Sequence, residues 1–275
     1  MSSSRRAVGR AVKITAATID RVRTPSAGVV VLLYHRVGRR SASEVDLDAA
    51  IFAEQMAFLT ESTDVVRLEA ALEELAGPRP SSRRRPVVVV TFDDGTDDFV
   101  EVALPILERH CIPVTMYLAT AFIEDGSPFP DGGRPASWSA LTDACATGLV
   151  DIGSHTHRHR LLDRIPSVDL ADELDRSIAL IGDRLGRTAA DFAYPKAVFG
   201  SREADVAVRQ RFRSAALAGT RANLHARTDV YRLARSPIQV GDAMSYFRCK
   251  VAGGMRLEDT MRRAANRLRY AGMRS

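Results

Sequence analysis

The chain has 275 residues, enough to bury one barrel-sized core, and its 45% hydrophobic content is that of an ordinary globular protein. Its net charge of +5 sits at the ends: residues 1–25 carry six basic residues and one acidic, and residues 256–275 carry six and two. The body between them is mildly acidic, which excludes a nucleic-acid-binding surface on the main domain, and the ratio of 36 arginines to 3 lysines reads as the codon bias of a GC-rich genome.

Residues 1–26 read as a basic helix ended by Thr24-Pro25-Ser26, and Gly28 to Tyr34 as a first strand. Asp48 to Thr60 reads as a helix begun by Asp46 or Asp48. Val65-Val66 is a short strand, Leu68 to Leu75 a helix and Pro78 to Pro86 a basic loop. The β-branched run Val87 to Phe92 predicts a fully buried parallel strand, broken at Gly95. A helix over Asp97 to His110, a strand over Val114 to Leu118 and a Gly/Pro/Asp-rich loop over 124–135 follow. Next come a helix over Trp138 to Thr147, a strand over Val150 to Gly153, a helix over Asp169 to Leu185 and a strand over Phe192 to Tyr194. Ser201 to Arg211 reads as a helix and Ala215-Ala216-Leu217 as a strand. This alternation predicts a parallel β/α architecture. Met255 to Tyr270 reads as a second basic amphipathic helix with Leu257, Met261 and Leu268 on one side. The expected organisation is a helical extension over 1–27, a catalytic unit over 28–250 and a basic C-terminal helix over 251–275.

Cys111, Cys145 and Cys249 are odd in number and far apart, and read as buried free thiols. No span approaches ~20 apolar residues, and no apolar segment follows the N-terminal basic residues. These features predict a cytoplasmic protein whose basic ends suit peripheral contact with an anionic membrane.

Two motifs carry chemistry. Thr91-Phe92-Asp93-Asp94-Gly95 closes the valine strand, and His155-Thr156-His157-Arg158-His159 follows the apolar strand at 150–153. Burying adjacent aspartates costs several kcal/mol unless a cation or donors compensate. One carboxylate can bind an ion while the other stays free as a base. His155 and His159, four apart, share a face if the segment is helical, and imidazole with carboxylate suits zinc with an open position for water. His157 faces away from the pair, His110 reads as a helix cap and His225 as an exposed loop residue.

The two motifs resemble the metal-binding motifs of the polysaccharide deacetylases, the NodB-homology domain of carbohydrate esterase family four. Leu32-Leu33-Tyr34-His35-Arg36-Val37, Trp138 and Phe192-Ala193-Tyr194-Pro195 follow the family's order, and the likeness runs over residues 28–240. The resemblance implies a distorted (β/α) barrel of about seven parallel strands in a single domain, and metal-dependent removal of acetyl groups from an amino-sugar glycan. It implies Asp94, His155 and His159 as ligands of a divalent metal, zinc first, with cobalt, nickel or manganese as alternatives. Asp93 would be the base, the Lys196 backbone N–H would meet the oxyanion, and Tyr194, Pro195 and Trp138 would line the substrate side.

The chain departs from the family in two places. Ala193 stands where most members have the arginine that orients the base, which leaves Arg235 and Arg158 as alternative substitutes. The late Leu-x-x-His motif is absent, and the resemblance to a permuted subgroup points to His35 as the acid instead. Two other readings remain beside N-deacetylation: an O-acetyl esterase or non-sugar amidase of the same fold, and a glycan-binding pseudoenzyme.

Overall fold

The computed structural model describes residues 3–22, 27–79, 81, 84–130, 132–261 and 264. In chain order the elements are α1 (Ser3–Val22), β1 (Val29–Tyr34), β2 (Arg36–Val37), β3 (Asp46–Leu47), α2 (Ala49–Ser62), β4 (Asp64–Val65) and α3 (Leu68–Ala76). Then come β5 (Val87–Asp94), a π-helical turn (Phe99–Ala103) running into α4 (Leu104–Arg109), β6 (Val114–Leu118), α5 (Thr120–Asp125), α6 (Trp138–Ala146) and β7 (Val150–Ser154). The chain continues through α7 (Ser167–Leu185), β8 (Asp191–Ala193), α8 (Arg202–Arg211), β9 (Ser214–Ala218), β10 (Leu233–Pro237) and α9 (Met244–Val251).

β1 pairs in parallel with β10 on one edge and β5 on the other. The order β1-β10-β9-β8-β7-β6-β5 therefore closes into a seven-stranded parallel barrel, as the resemblance implied. β4 borders β5 at Val87 and Val88, and β6 pairs with β5 from Val90 onward. Strand alternation sorts the side chains. Val29, Val31, Val87, Val89, Tyr117, Ala193, Ala216 and Leu233 fill the interior, where Leu68, Ala71 and Leu75 of α3 join them. The opposite parity, with Leu32, Val90, Phe92, Met116 and Ile152, packs against the surrounding helices. The valine run is hydrophobic on every residue because β5 is covered on both faces.

Local chemistry sets the element ends. Asp48 caps α2, accepting from the N–H groups of Ala50 and Ile51 at 2.8 and 3.4 Å. Asp46 instead ties the loop before β3, accepting from Arg39 N and Ser41 N. The helix expected over 97–110 begins as a π turn. β10, α5 and α9 were not foreseen in the sequence. The three cysteines are free, but only Cys145 is buried; Cys249 is partly buried and Cys111 exposed. The chain is helical again over 256–261, and Leu268 of the expected C-terminal helix lies outside the described residues. Among the described residues no helix is long and apolar enough to cross a membrane.

A buried ionic cluster fastens α1. Asp242 accepts from Lys13 of α1 at 2.6 Å and from Lys250 of α9 at 2.7 Å, and Lys250 also donates to Pro237 O at 2.8 Å. Glu258 lies 3.7 and 3.4 Å from the two lysines. Burial pushes the Asp242 carboxyl up, and Lys250 and Lys13 outweigh it and hold the group below the usual carboxylate range. Its contribution is therefore full above the ordinary carboxylate pKa and is lost as pH falls through the lowered value. Asp242→Ala strands two buried ammonium groups and should cost about 3–5 kcal/mol in urea denaturation at neutral pH. A loss under 1 kcal/mol would show the cluster to be dispensable.

Candidate metal centre and active site

β5 delivers two carboxylates to one cavity by breaking its own alternation. Asp93 shares the interior parity of Val87, Val89 and Thr91. Asp94 would point outward, but it has φ +77° and turns the chain. Gly95 follows with φ +88°, and a Cβ there would come within 2.7 Å of the Leu118 side chain. At the end of β7 the chain does the same. His155 and His159 are not on a helical turn, as their spacing suggested. They lie in an irregular loop with φ +65° at Thr156 and φ +57° at His159, and these turns bring the two Nε2 atoms to 3.2 Å.

The result is a donor triad. One ligand atom each from Asp94, His155 and His159 lies within 4.8 Å of the others. Asp94 Oδ1 is 3.7 Å from His155 Nε2 and 3.6 Å from His159 Nε2. His155 Nδ1 sits 2.7 Å from Ala193 O, a carbonyl that can only accept, so Nδ1 carries the proton and Nε2 presents its lone pair to the triad. Burial pushes His155 down to about 4, so the ring is neutral at pH 7. Two imidazoles and a carboxylate in a tight cluster fit a divalent cation with positions left open.

The histidine loop is held from behind. The Thr120 and Ala121 N–H groups, at the start of α5, donate to Thr156 O and His157 O. Glu173 of α7 is fully buried; its carboxylate accepts from Arg158 N at 2.8 Å and its backbone carbonyl from His157 N at 2.9 Å. His157 Nδ1 meets Thr120 Oγ1 at 3.0 Å, on the side away from the triad.

Asp93 lies beside the triad, its Oδ2 3.7 Å from His155 Nε2. Arg235 of β10 grips it with two parallel bonds, Nη1 to Oδ1 at 2.6 Å and Nη2 to Oδ2 at 2.8 Å. Arg235 is wholly buried, and its guanidinium lies 5.0 Å from the centroid of the Tyr117 ring. Burial pushes the Asp93 carboxyl up, but the charge and paired hydrogen bonds of Arg235 outweigh it and hold the group at about 2. Of the two candidate substitutes for the missing arginine, the structure selects Arg235; Arg158 pairs on the surface with Asp172. Gly153 completes the arrangement, since a Cβ there would come within 2.5 Å of the Tyr117 ring.

His35 follows β1 on the interior parity that it shares with Asp93 on β5, and its buried Nδ1 has no hydrogen-bond partner among the described residues. Pro195 and Lys196 lie at the same end of the barrel, where Lys196 and Ala197 have φ +52° and +55°. Tyr194 and Trp138 have side chains directed elsewhere. The Tyr194 ring packs outward between Phe192 and Phe199, and Trp138 Nε1 donates to Glu124 Oε2 at 2.7 Å against the outer helices. His225, expected to be exposed, is half-buried and 3.2 Å from Glu74 Oε1. The supports from Glu173 and the Ala193 carbonyl had no signal in the sequence. β10 could have been suspected only from its alternation of Leu233, Arg235 and Pro237.

Residues 62–215, more than half of the chain, match the family model described as polysaccharide deacetylase. The chain belongs to the polysaccharide deacetylase family. No curated protein matches it. Among solved structures similar to this deacetylase-family chain is IcaB from Ammonifex degensii, at 24% identity and TM-score 0.71, covering 83% of this chain and 98% of that one. The Streptococcus pyogenes deacetylase PplD, in complex with acetate, is similar at 20% identity and TM-score 0.70, covering 83% and 99%. A de-N-acetylase from Aggregatibacter actinomycetemcomitans is similar at 17% identity and TM-score 0.65, covering 81% and 99%. At these identities the likeness shows the shared deacetylase fold. His35 and Arg235 both lie outside the matched segment, on strands that barrel closure sets side by side.

Arg235→Lys keeps the charge and loses the paired bonds. We expect catalytic turnover to fall by about 10–100-fold, as for other orienting partners of a metal site, with metal content unchanged. Turnover within a factor of two of the parent would remove Arg235 from the positioning of Asp93.

Proposed function

We propose that this chain is a metal-dependent hydrolase that removes N-acetyl groups from an amino sugar in a glycan or its precursor. The observation that carries the reading is Asp93, a buried carboxylate held ionised beside a complete donor triad. Holding a cation or a sugar needs no such spare base, which favours turnover over binding alone.

Asp94, His155 and His159 would hold the cation, and the mixed nitrogen and oxygen donor set suits zinc. When bound, it supplies Lewis-acid polarisation of the acetyl carbonyl and a lowered pKa for water. Asp93 takes the proton from the water that attacks the amide carbon. Arg235 fixes the plane of that carboxylate and keeps it anionic. As the carbonyl oxygen becomes an alkoxide, the Lys196 backbone N–H donates to it, the role its place in the third motif implies. The successive positive φ values at Lys196 and Ala197 support a specialised turn there.

His35 protonates the leaving amine. Its place on the interior side of β1, within the field of Asp93 and with an unpartnered Nδ1, supports that role. These features fit a branch of the family in which Phe-Ala-Tyr-Pro occupies the third motif and a first-strand histidine serves as acid. Ala193 leaves its interior position small, and Arg235 reaches Asp93 from β10.

Acetate release from N-acetylglucosamine oligomers, with and without chelator and with zinc restored, tests the activity. Asp93→Asn should retain metal and lose kcat by ~10²–10⁴-fold. Full activity in saturating chelator with no bound metal would falsify the reading.

His35→Ala separates acid catalysis from packing. An amine must be protonated to leave, whereas a phenolate leaves unaided. The loss in kcat should therefore be larger on N-acetyl sugars than on aryl acetates. Equal losses on both would assign His35 a structural role.

A further inference from the structure

At the end of the barrel opposite the metal triad, the segment between β9 and β10 folds beneath the start of β1. Asn223 and Val29 exchange backbone hydrogen bonds at 2.8 and 2.9 Å, and the Asn223 amide also bonds both backbone groups of Ala234 at 2.9 Å. β1 runs from this point to His35, six residues or roughly 20 Å away. A cavity that opens beside Asn223 is therefore separate from the catalytic mouth. It holds about 330 Å³, at the lower end of the range for small-molecule sites.

Its walls are cationic. Arg221, Arg227, Arg232 and Arg256 face a single carboxylate, Asp229. That carboxylate is already engaged: Arg209, outside the cavity, binds it at 2.6 and 3.4 Å, and it accepts from Tyr231 N at 3.0 Å. Arg232 lies 3.7 Å from Asp229, 3.8 Å from Asp205 and over the Phe199 ring at 4.3 Å; Arg221 lies 3.9 Å from Asp259. Arg227 and Arg256 are exposed, and among the described residues neither side chain has an ion pair or hydrogen bond. Thr228 Oγ1 accepts from Leu224 N at 2.7 Å, so its own proton remains to be donated.

Four guanidinium groups around one concavity repel one another, and the acidic partners of Arg221 and Arg232 leave Arg227 and Arg256 without one among the described residues. Their planar forks match an anion with several acceptor oxygens. The donors of four arginines and a hydroxyl exceed the two oxygens of a carboxylate and suit a phosphate. Arg256 also opens the helical stretch at 256–261, and the neighbouring Met255 N donates to Asp20 of α1 at 2.6 Å. The end of α1 and the start of this helical stretch therefore meet beside the cavity.

We propose that the cavity is a binding site for a phosphate-bearing ligand, held by Arg221, Arg227, Arg232 and Arg256. It is independent of the hydrolytic reading, because it shares no residue with the metal triad or with Asp93. A soluble sugar phosphate and the phosphodiester of an anionic lipid present the same chemistry, and two arms distinguish them. The first titrates the full chain with inorganic phosphate by calorimetry at low salt. The second sediments it with vesicles of equal parts phosphatidylglycerol and phosphatidylcholine, against phosphatidylcholine alone. The comparison is the double variant Arg227→Gln, Arg256→Gln, whose unchanged circular dichroism and metal content confirm the fold.

Phosphate binding that weakens at least about tenfold in the variant, as expected for lost charge-assisted bonds, identifies a soluble phosphorylated ligand. A loss confined to the phosphatidylglycerol arm identifies the lipid head group. The proposal is overturned if the parent ignores both probes, or if the variant binds them as the parent does.

Discussion

The active end of this barrel depends on one buried ion pair, Asp93 with Arg235. A carboxylate with 3% exposure in an apolar barrel would by itself take up a proton, and a neutral acid cannot accept one from water. Arg235 reverses that balance and does so directionally, because its two parallel bonds leave the carboxylate one orientation. The pair joins β5 to β10, the two neighbours of β1 in the closed sheet, so it spans the strand that carries His35. The candidate base, its orienting cation and the candidate acid thus come from three adjacent strands and their ends, whose register is fixed by hydrogen bonding. Arg235 in turn rests on the Tyr117 ring, and that ring has room only because residue 153 is glycine.

The rest of the site is built by violating regular structure. An undistorted strand cannot aim adjacent carboxylates at one point. Among the described residues, five of the nine non-glycine residues with positive φ are Asp94, Thr156, His159, Lys196 and Ala197, all where β5, β7 and β8 end. Conformations of this kind cost of order 1–3 kcal/mol each where a side chain strains them, and they persist only when their surroundings over-determine them. Here the surroundings are visible. Glu173, Thr120 and Ala121 fix the histidine loop, and the Ala193 carbonyl fixes the His155 ring. A buried Glu173 on α7 has no other evident purpose in the packing.

The parts of the fold that were legible from sequence are those where composition and environment agree. The run from Val87 to Phe92 is apolar on every residue because the strand is covered on both sides, and the alternation of such runs with amphipathic segments gave the β/α order. β10 was not legible because its central interior residue is an arginine and its last a proline, which together look like a loop. Asp94, His155 and His159 were legible as ligands, but the backbone turns that bring them together were not, because residue spacing does not encode them. The four-residue spacing of His155 and His159 would put them on one face only if the segment were helical, and it is a loop that brings them together. Tyr194 was misleading in another way. Its neighbours Ala193 and Pro195 lie at the site end of β8, but alternation turns its own ring outward into the cluster of Phe192 and Phe199.

Barrel closure explains why residues so far apart in the chain can complete one another. β1 and β10 lie at opposite ends of the sequence of the barrel, yet Val31 pairs with Arg235 and Leu33 with Pro237. An arginine on any strand facing the interior near the rim of β5 can reach Asp93, provided that the other interior positions are small enough to admit it. Ala193 and Ala216 meet that condition on the two strands before β10. The requirement imposed by chemistry is a buried cation within bonding distance of the base, and the fold leaves the strand that supplies it free to differ. This freedom is why the absence of an arginine at 193 still leaves Asp93 with a buried guanidinium partner.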